Sequence, residues 1–291
     1  MLILAGPAAV AILAPMRNNR FLAAIALVAG FLVTGSPAHA GVLDAAFFPG
    51  KVTSFYGPAG DNTEDNVLMN GLREGRLAEN LAAATQQSLL LKHNLAVGIA
   101  KCGALNAFYN PRNQSVTICL ELIKFIMTTA DEQGLLQKPE SKKFMAGVVF
   151  AVYAHELGHA LIHLDNIAVT GREEDVADQF AVYFGLRFLE PAGINPIGPA
   201  VWFYRALAQR TGGVGTLSAE QVRHLMSNEH SLDEQRVFNV VCWAHGANPT
   251  KAARLVQVVQ LDPQRKERCA GEYARMNHGI QSQFGRFIRS H

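Results

Sequence analysis

The feature that most constrains the fold is a long apolar stretch that contains two histidines and a glutamate at fixed spacing. Phe144 to Leu164 reads FMAGVVFAVYAHELGHALIHL. A membrane-spanning helix rarely carries three histidines, a glutamate and a following aspartate. A buried core helix would leave Glu156 in apolar surroundings, which is costly unless the carboxylate has a partner. A bound cation would supply that partner, so the stretch predicts a helix that binds a metal ion.

The spacing within HELGH gives this prediction its geometry. His155 and His159 are four residues apart, so a helix places both imidazoles on one face, where they can bind one zinc ion. Glu156 follows the first histidine and lies near enough to take a proton from an attacking water. Gly158 would let another backbone approach closely. The alternative is an apolar core helix in which a short motif has arisen by chance.

The next segment, TGREEDVADQFA, offers a third ligand. Thr170 and Glu173 fit a capping box, which predicts that a helix starts at Thr170. Glu174 and Asp178 then share a face: Glu174 can bind the metal, and Asp178 can accept a hydrogen bond from the other nitrogen of a ligand histidine. Glu173 is the rival ligand, but no carboxylate follows it four residues on. The alternative is a solvated acidic first turn, favoured by the helix dipole.

A catalytic site also needs a donor that stabilises the developing oxyanion. His230, in the polar stretch EHSLDEQR, is the candidate, and Asp233 could orient it. The competing interpretation is that His230 caps or ends a helix. Arg236 is expected to pair with Asp233 or Glu234.

The first forty residues predict an export signal. Arg17 and Arg20 precede a thirteen-residue apolar run, Phe21 to Val33, and Ala38–Ala40 forms a small-x-small cleavage site. Met16 is an alternative start. The alternative reading is an uncleaved anchor, but the run is short of the roughly 20 residues that a span needs. We expect cleavage after Ala40, a periplasmic or secreted protein, and no stable membrane span.

Removal of that segment takes away two arginines and no acidic residue, which leaves 24 basic and 24 acidic residues. The formal net charge is then zero. Nucleic-acid binding requires a basic face, and no nucleic-acid partner is expected. The oligomeric state is not encoded in these patterns.

The four cysteines of an exported protein can form disulfides, with three possible pairings. Cys102 and Cys119 are equidistant from the Asn110–Pro111 turn, so they would face each other if GALNAFY and SVTICLEL are the arms of a hairpin. Cys242 and Cys269 would then form the second bridge. The alternative is four buried free thiols.

Strand-forming segments come early and helices follow, which predicts an α+β fold: a small N-terminal antiparallel sheet or hairpin, then a mainly helical core. Residues 41–75 are rich in Gly, Pro, Asp and Asn and predict an irregular lead-in. Residues 76–291 show no clear boundary and are expected to form one domain. The predicted strands are Leu95–Lys101, Ala104–Tyr109 and Ser115–Leu120.

HELGH followed by E-x-x-A-D resembles the gluzincins, the thermolysin-like group of zinc peptidases. The longer string HELGHALIHLDNIAVTGREEDVADQFA, with FYNPRNQSVTICLEL and HSLDEQRVFNVVCW, is similar to an exported bacterial family of metallopeptidases. The resemblance implies a zincin-like core, Zn²⁺ bound by His155, His159 and Glu174, and Glu156 as general base. It also implies that a peptide binds as an added strand on a sheet edge, here Ser115–Leu120, with Asn106 and Tyr109 as possible contributors.

These features predict an exported zinc metallopeptidase that acts on a peptide or protein substrate. The main alternative is a non-catalytic, zinc-containing protein of the same fold that binds peptides or the cell envelope. Glu156 favours an enzyme, because a binding protein does not need a general base. A closed structural zinc site and a hydrolase with a non-peptide substrate are further alternatives.

Overall fold

The structure, a computed structural model, describes residues 47–210, 218–227 and 230–289. The predicted export signal, residues 1–40, lies outside these ranges, as does its cleavage site. The chain forms two compact units: the first runs to Ala146 and includes Arg289, and the second is Gly147–Ile288. The expectation of one domain from residue 76 stays a prediction.

The first unit contains a four-stranded mixed sheet with the order β1-β2-β4-β3. The α+β prediction is confirmed, and so is the antiparallel hairpin, in which β3 pairs with β4. The other two pairings are parallel, which corrects the expectation of an antiparallel sheet. The strands are β1 (Val52–Tyr56), β2 (Leu95–Ala100), β3 (Ala107–Asn110) and β4 (Ser115–Cys119).

The parallel pairing follows from the connection between β1 and β2. Two helices, α1 (Thr63–Glu74) and α2 (Leu77–Ser88), fill this connection, and a crossover of this kind returns the chain in the same direction. Residues 52–56 and 63–74 are regular, so the prediction of an irregular lead-in is wrong for these two segments, while residues 57–62 between them form a loop. The polar residues mark a helix end: the Asn62 side chain accepts hydrogen bonds from the backbone N–H groups of Glu64 and Asp65.

Strand β4 lies inside the sheet, between β2 and β3, and all five of its residues are buried. The prediction that it is the sheet edge is wrong, because β3 turns back and covers it. The edges are β1 and β3. Helix α3 (Leu120–Glu132) follows β4 directly, and α2 packs on β1 and β2.

Both predicted disulfides are present. The Cα atoms of Cys102 and Cys119 are 5.5 Å apart, and those of Cys242 and Cys269 are 5.0 Å apart. The Glu121 carboxylate holds the loop after β2 because it accepts hydrogen bonds from the backbone N–H groups of Cys102 (3.1 Å) and Gly103 (2.7 Å).

The described part of the second unit is helical. Its elements are the long α4, which begins in the first unit, then α5, α6, α7, α8, α9 and α10; α5 continues into a π-helical turn at Gly185–Leu189, and α10 into a 3-10 turn at Gly285–Phe287. Helix α8 packs against α5, α6, α9 and α10. The bounds are α4 (Ser141–Leu164), α5 (Glu173–Phe184), α6 (Ile197–Arg210), α7 (Ala219–Met226), α8 (Asp233–Ala247), α9 (Pro249–Val258) and α10 (Pro263–Phe284).

Helix α4 is the one helix, among the residues that the structure describes, whose length and composition would allow it to cross a membrane. Its most apolar window is 78% buried inside the protein, as expected of a core helix. Burial in the core therefore accounts for the apolar residues of α4. The polar residues of α4 need a separate explanation, which is the site that they form.

Candidate metal centre

Helix α4 brings the two motif histidines together. The Nε2 atoms of His155 and His159 are 3.2 Å apart. Helix α5 lies close against this part of α4 because Gly158 has no side chain: a Cβ at Gly158 would lie 3.1 Å from the Cα of Ala177. The close backbone approach predicted for Gly158 is therefore present.

Helix α5 places the side chain of Glu174 beside these two Nε2 atoms. Its Oε2 atom lies 3.1 Å from Nε2 of His155 and 3.3 Å from Nε2 of His159. His155 is 5% exposed and Glu174 is 8% exposed, so both side chains are buried. The three residues form a group that could hold a metal ion, with ligand atoms all within 4.8 Å of one another.

Carboxylates hold the other nitrogen of each imidazole. Nδ1 of His155 lies 2.8 Å from Oδ1 of Asp178, and Nδ1 of His159 lies 2.6 Å from Oε1 of Glu173. Ionised carboxylates only accept hydrogen bonds, so each Nδ1 carries a proton. Any proton on an Nε2 atom is shared with Glu174 or with the other imidazole. If both rings lost that proton, two Nε2 lone pairs and a carboxylate oxygen would face one another, an arrangement that fits a cation.

The electrostatics of the site lead to the same conclusion. Burial alone would lower the pKa of His155, but the hydrogen bonds with Asp178 and Glu174 outweigh burial and raise the pKa to about 9. Burial would raise the pKa of Glu174, but the hydrogen bonds from the surrounding histidines hold it well below its ordinary value. The site therefore favours positive charge at its centre, which a divalent cation would provide.

The first turn of α5 differs from the sequence prediction. The helix begins at Glu173 after Arg172, so the predicted start at Thr170 with a capping box is wrong. One carboxylate oxygen of Glu173, the rival ligand, lies 2.6 Å from Nδ1 of His159, the nitrogen on the side of the ring away from the point where the Nε2 atoms meet. The neighbouring Asp175 accepts a hydrogen bond from the Ser231 hydroxyl at 2.8 Å. Glu173 is exposed, but Glu174 is buried and Asp175 is half-buried, so a solvated acidic surface describes only the first residue of this turn.

Two further residues surround Asp178. Arg236 donates to both of its oxygens, from Nε at 2.8 Å and from Nη2 at 2.7 Å, and the Tyr204 hydroxyl donates to Oδ1 at 3.0 Å. The expected ion pair between Arg236 and Asp233 is present at 3.9 Å, but the shorter contacts of Arg236 are with Asp178, which the sequence did not predict. Arg236 outweighs the effect of burial and lowers the pKa of Asp178. Tyr204 was not predicted, since nothing in its helix distinguishes it from a core aromatic residue.

The sequence was compared with known families. The family model DUF4344, whose description is "Putative metallopeptidase", matches residues 56–281. The chain belongs to this family. The match spans all of the site residues named above, and a buried His155–His159–Glu174 group that could hold a metal ion is consistent with the DUF4344 description. No curated protein and no solved structure matches the chain.

Two predicted catalytic residues of this DUF4344 chain lie at the same centre. His230 has its Nε2 atom 2.6 Å from Oε2 of Glu174, and its ring stacks on His155 with centroids 5.9 Å apart. Glu156 is partly exposed on α4, and its charge is one of those that raise the pKa of His159. Helix α8 begins at Asp233 after Leu232, so His230 is not its N-cap residue.

Proposed function

We propose that this protein is an exported zinc-dependent metallopeptidase of gluzincin type. The observation that carries the proposal is the convergence of the His155 and His159 Nε2 atoms with the Glu174 carboxylate beside Glu156. Two imidazoles and one carboxylate are the protein ligands of many catalytic zinc sites, which keep a further position open for water or substrate.

The donor set supports zinc in particular, because imidazole nitrogens bind zinc well, whereas magnesium and calcium prefer sites made of oxygen. Zinc bound here would polarise the scissile carbonyl and lower the pKa of water. The protein's own contribution is the fixed orientation of both imidazoles, which Asp178 and Glu173 hold through the Nδ1–H groups.

Glu156 is the proposed general base. It follows His155 directly on the same helix, and its partial exposure lets it meet both solvent and substrate. Its carboxylate would accept a proton from the attacking water and then hand it to the leaving amine. A protein that only binds peptides would have no use for this residue.

His230 is the proposed donor to the oxyanion. Its contact with the Glu174 carboxylate requires an Nε2–H group that faces the centre of the site. This proton would stabilise the substrate's carbonyl oxygen as negative charge develops there. Peptides or proteins are the proposed substrates.

Export to the periplasm or the exterior is part of the proposal, and it rests on the sequence of residues 1–40. The two disulfides are compatible with it, because such bonds persist in oxidising compartments.

The proposal is tested on the mature chain from Gly41 with four proteins: wild type, Glu156→Gln, Glu174→Ala and, as a control, Glu267→Gln, which changes an exposed glutamate on α10. Metal content is measured by elemental analysis, and cleavage with a mixed peptide library. We expect one zinc and cleavage in wild type and control, zinc without cleavage in Glu156→Gln, and loss of zinc in Glu174→Ala. Wild type that binds no zinc would overturn the metal assignment, and zinc-loaded wild type that cuts no peptide would overturn the peptidase assignment.

A further inference from the structure

A buried polar network of Asp178, Tyr204 and Arg236 lies behind His155, on the side of the imidazole away from the candidate metal centre. We propose that Arg236 and Tyr204 form a clamp on Asp178 that sets the orientation of the His155 ring and thereby the affinity for the metal. This inference rests on the proposed function, since it concerns the same site. It gives a role to two residues that contact Asp178, one of which, Arg236, also has its Nη2 atom 3.4 Å from the outward-facing Nδ1 of His155.

The clamp holds Asp178 at both oxygens. The guanidinium of Arg236 binds Oδ2 through Nε and Oδ1 through Nη2, which is the two-point fork that lysine cannot make. The Tyr204 hydroxyl donates to Oδ1 and accepts from Nη2 of Arg236 at 3.0 Å. The guanidinium also lies over the Tyr204 ring, 4.1 Å from its centroid. Each of the three side chains therefore fixes the other two.

The consequence for His155 follows from the geometry of a carboxylate. A carboxylate with one partner can rotate about the bond to its Cβ atom, and the imidazole that it contacts can turn with it. Two anchored oxygens fix the plane of the Asp178 carboxylate, so Oδ1 meets Nδ1 of His155 from one direction only. The direction of the Nε2 lone pair on the opposite side of the ring is then fixed as well.

A role in stability alone does not account for this arrangement. Arg236 is 7% exposed, Asp178 3% and Tyr204 5%, so both charges have lost nearly all contact with water. Replacement of a buried ion pair by packed apolar residues is often neutral or stabilising, because desolvation offsets the attraction. The clamp does, however, connect α5, α6 and α8 to the imidazole of His155 on α4. A residue that fixes the orientation of this imidazole must be connected to it in this way.

Charge and geometry can be separated by substitution. Arg236→Lys keeps the positive charge beside Asp178 but loses the fork. Tyr204→Phe keeps the ion pair and the ring but removes the hydroxyl. Arg265→Lys is the matched control: its guanidinium contacts Asn239 at 2.7 Å and Glu272 at 3.2 Å, all within the part of the second unit formed by α8 and α10.

The experiment measures zinc affinity by competition with a chelator, on the full mature chain stripped of metal. Thermal unfolding in excess chelator shows whether each variant folds. The visible absorption of the cobalt-substituted protein reports ligand geometry independently of activity. We expect Arg236→Lys to bind zinc about 10- to 100-fold more weakly and to change the cobalt spectrum. Tyr204→Phe should give a smaller loss with the same direction of spectral change, and Arg265→Lys should match wild type.

Folded Arg236→Lys with the affinity and cobalt spectrum of wild type would overturn the clamp. If Arg236→Lys does not fold, the test rests on Tyr204→Phe, which retains the ion pair between Arg236 and Asp178. A Tyr204→Phe variant with the zinc affinity and the cobalt spectrum of wild type would then overturn the proposal. The peptidase assignment fails separately: a wild-type protein that binds zinc tightly but cuts no peptide contradicts the activity and leaves the clamp intact.

Discussion

The close contact between α4 and α5 at Gly158 gives a quantitative prediction about the metal centre. Gly158→Ala adds a Cβ that would lie 3.1 Å from Cα, 3.4 Å from Cβ and 3.5 Å from the carbonyl oxygen of Ala177. The first of these neighbours is backbone, so it cannot move aside as a flexible side chain would. Ala177 lies between Glu174 and Asp178 in α5, and any shift of this helix moves both carboxylates.

The size of the shift follows from the contact distances. Ordinary contact begins at 3.4 Å, so α5 must recede by about 0.3 Å at Ala177. Metal–ligand distances in proteins are held to within about 0.2 Å, which is less than this displacement. We therefore expect zinc affinity to fall at least about tenfold, as when a residue that orients a ligand is lost. Folding should change little, because alanine gains about 1 kcal/mol of helix propensity over glycine, and this offsets part of the strain.

The assay compares Gly158→Ala with Gly279→Ala by chelator competition and by thermal unfolding of the metal-free protein. Gly279 lies inside α10, and a Cβ there would meet no atom within 4 Å. Gly279→Ala should gain stability and bind zinc as wild type does. Equal zinc affinity in Gly158→Ala and wild type would refute the reasoning, since the interhelical distance would then not control the ligand spacing.

Two further predictions concern stability. Replacement of both Cys242 and Cys269 by serine removes a disulfide between residues 27 apart in sequence. The free energy of unfolding should fall by about 3.5 kcal/mol, because the unfolded chain gains the entropy of an open loop. Urea denaturation measures this change, and a loss below about 1 kcal/mol would contradict the reasoning. Asp65 accepts hydrogen bonds from Lys101 and Lys124, both at 2.8 Å, and these outweigh burial and lower the pKa of Asp65 from 3.8. Asp65→Asn should therefore lower the free energy of unfolding by about 1 to 2 kcal/mol at neutral pH. The difference from wild type should shrink as the pH falls below 3.8, because Asp65 of the wild type then becomes protonated. A difference that does not depend on pH would argue against the ion pairs.

The group of residues that forms the candidate metal centre could be predicted largely from the sequence because its parts are local. His155 and His159 follow the helical period, and Glu174 stands on the next helix, where a short connection leaves few ways to pack. Arg236 shows the limit of such reasoning. The sequence predicts a pair with Asp233 or Glu234, and the pair with Asp233 is present at 3.9 Å, but the two hydrogen bonds of Arg236 to a carboxylate go to Asp178, 58 residues away. Proximity in sequence identifies the local pair and not the distant carboxylate that the buried guanidinium binds.

The sheet was predicted less completely. The pattern of Val, Ile and Thr identifies strands such as β2 and β4, but it does not state the direction of the neighbouring strand. The direction is decided by the connection, and α1 was missed because Asn62 and the acidic residues after it were read as loop composition rather than as a helix start. Tyr204 was missed for a similar reason, since its hydroxyl finds its partners only when α5, α6 and α8 come together.

The first turn of α5 places three consecutive acidic residues against three different partners: Glu173 on His159, Glu174 at the metal centre and Asp175 on Ser231. Each residue in a helix is turned by about 100° from the one before it. Insertion or deletion of a single residue just after Asp175 would rotate all three carboxylates relative to the rest of α5, and so away from their partners, at once. The connection between α4 and α5 can vary in length. From Glu173 onwards, however, the position of each residue of α5 relative to α4 is fixed.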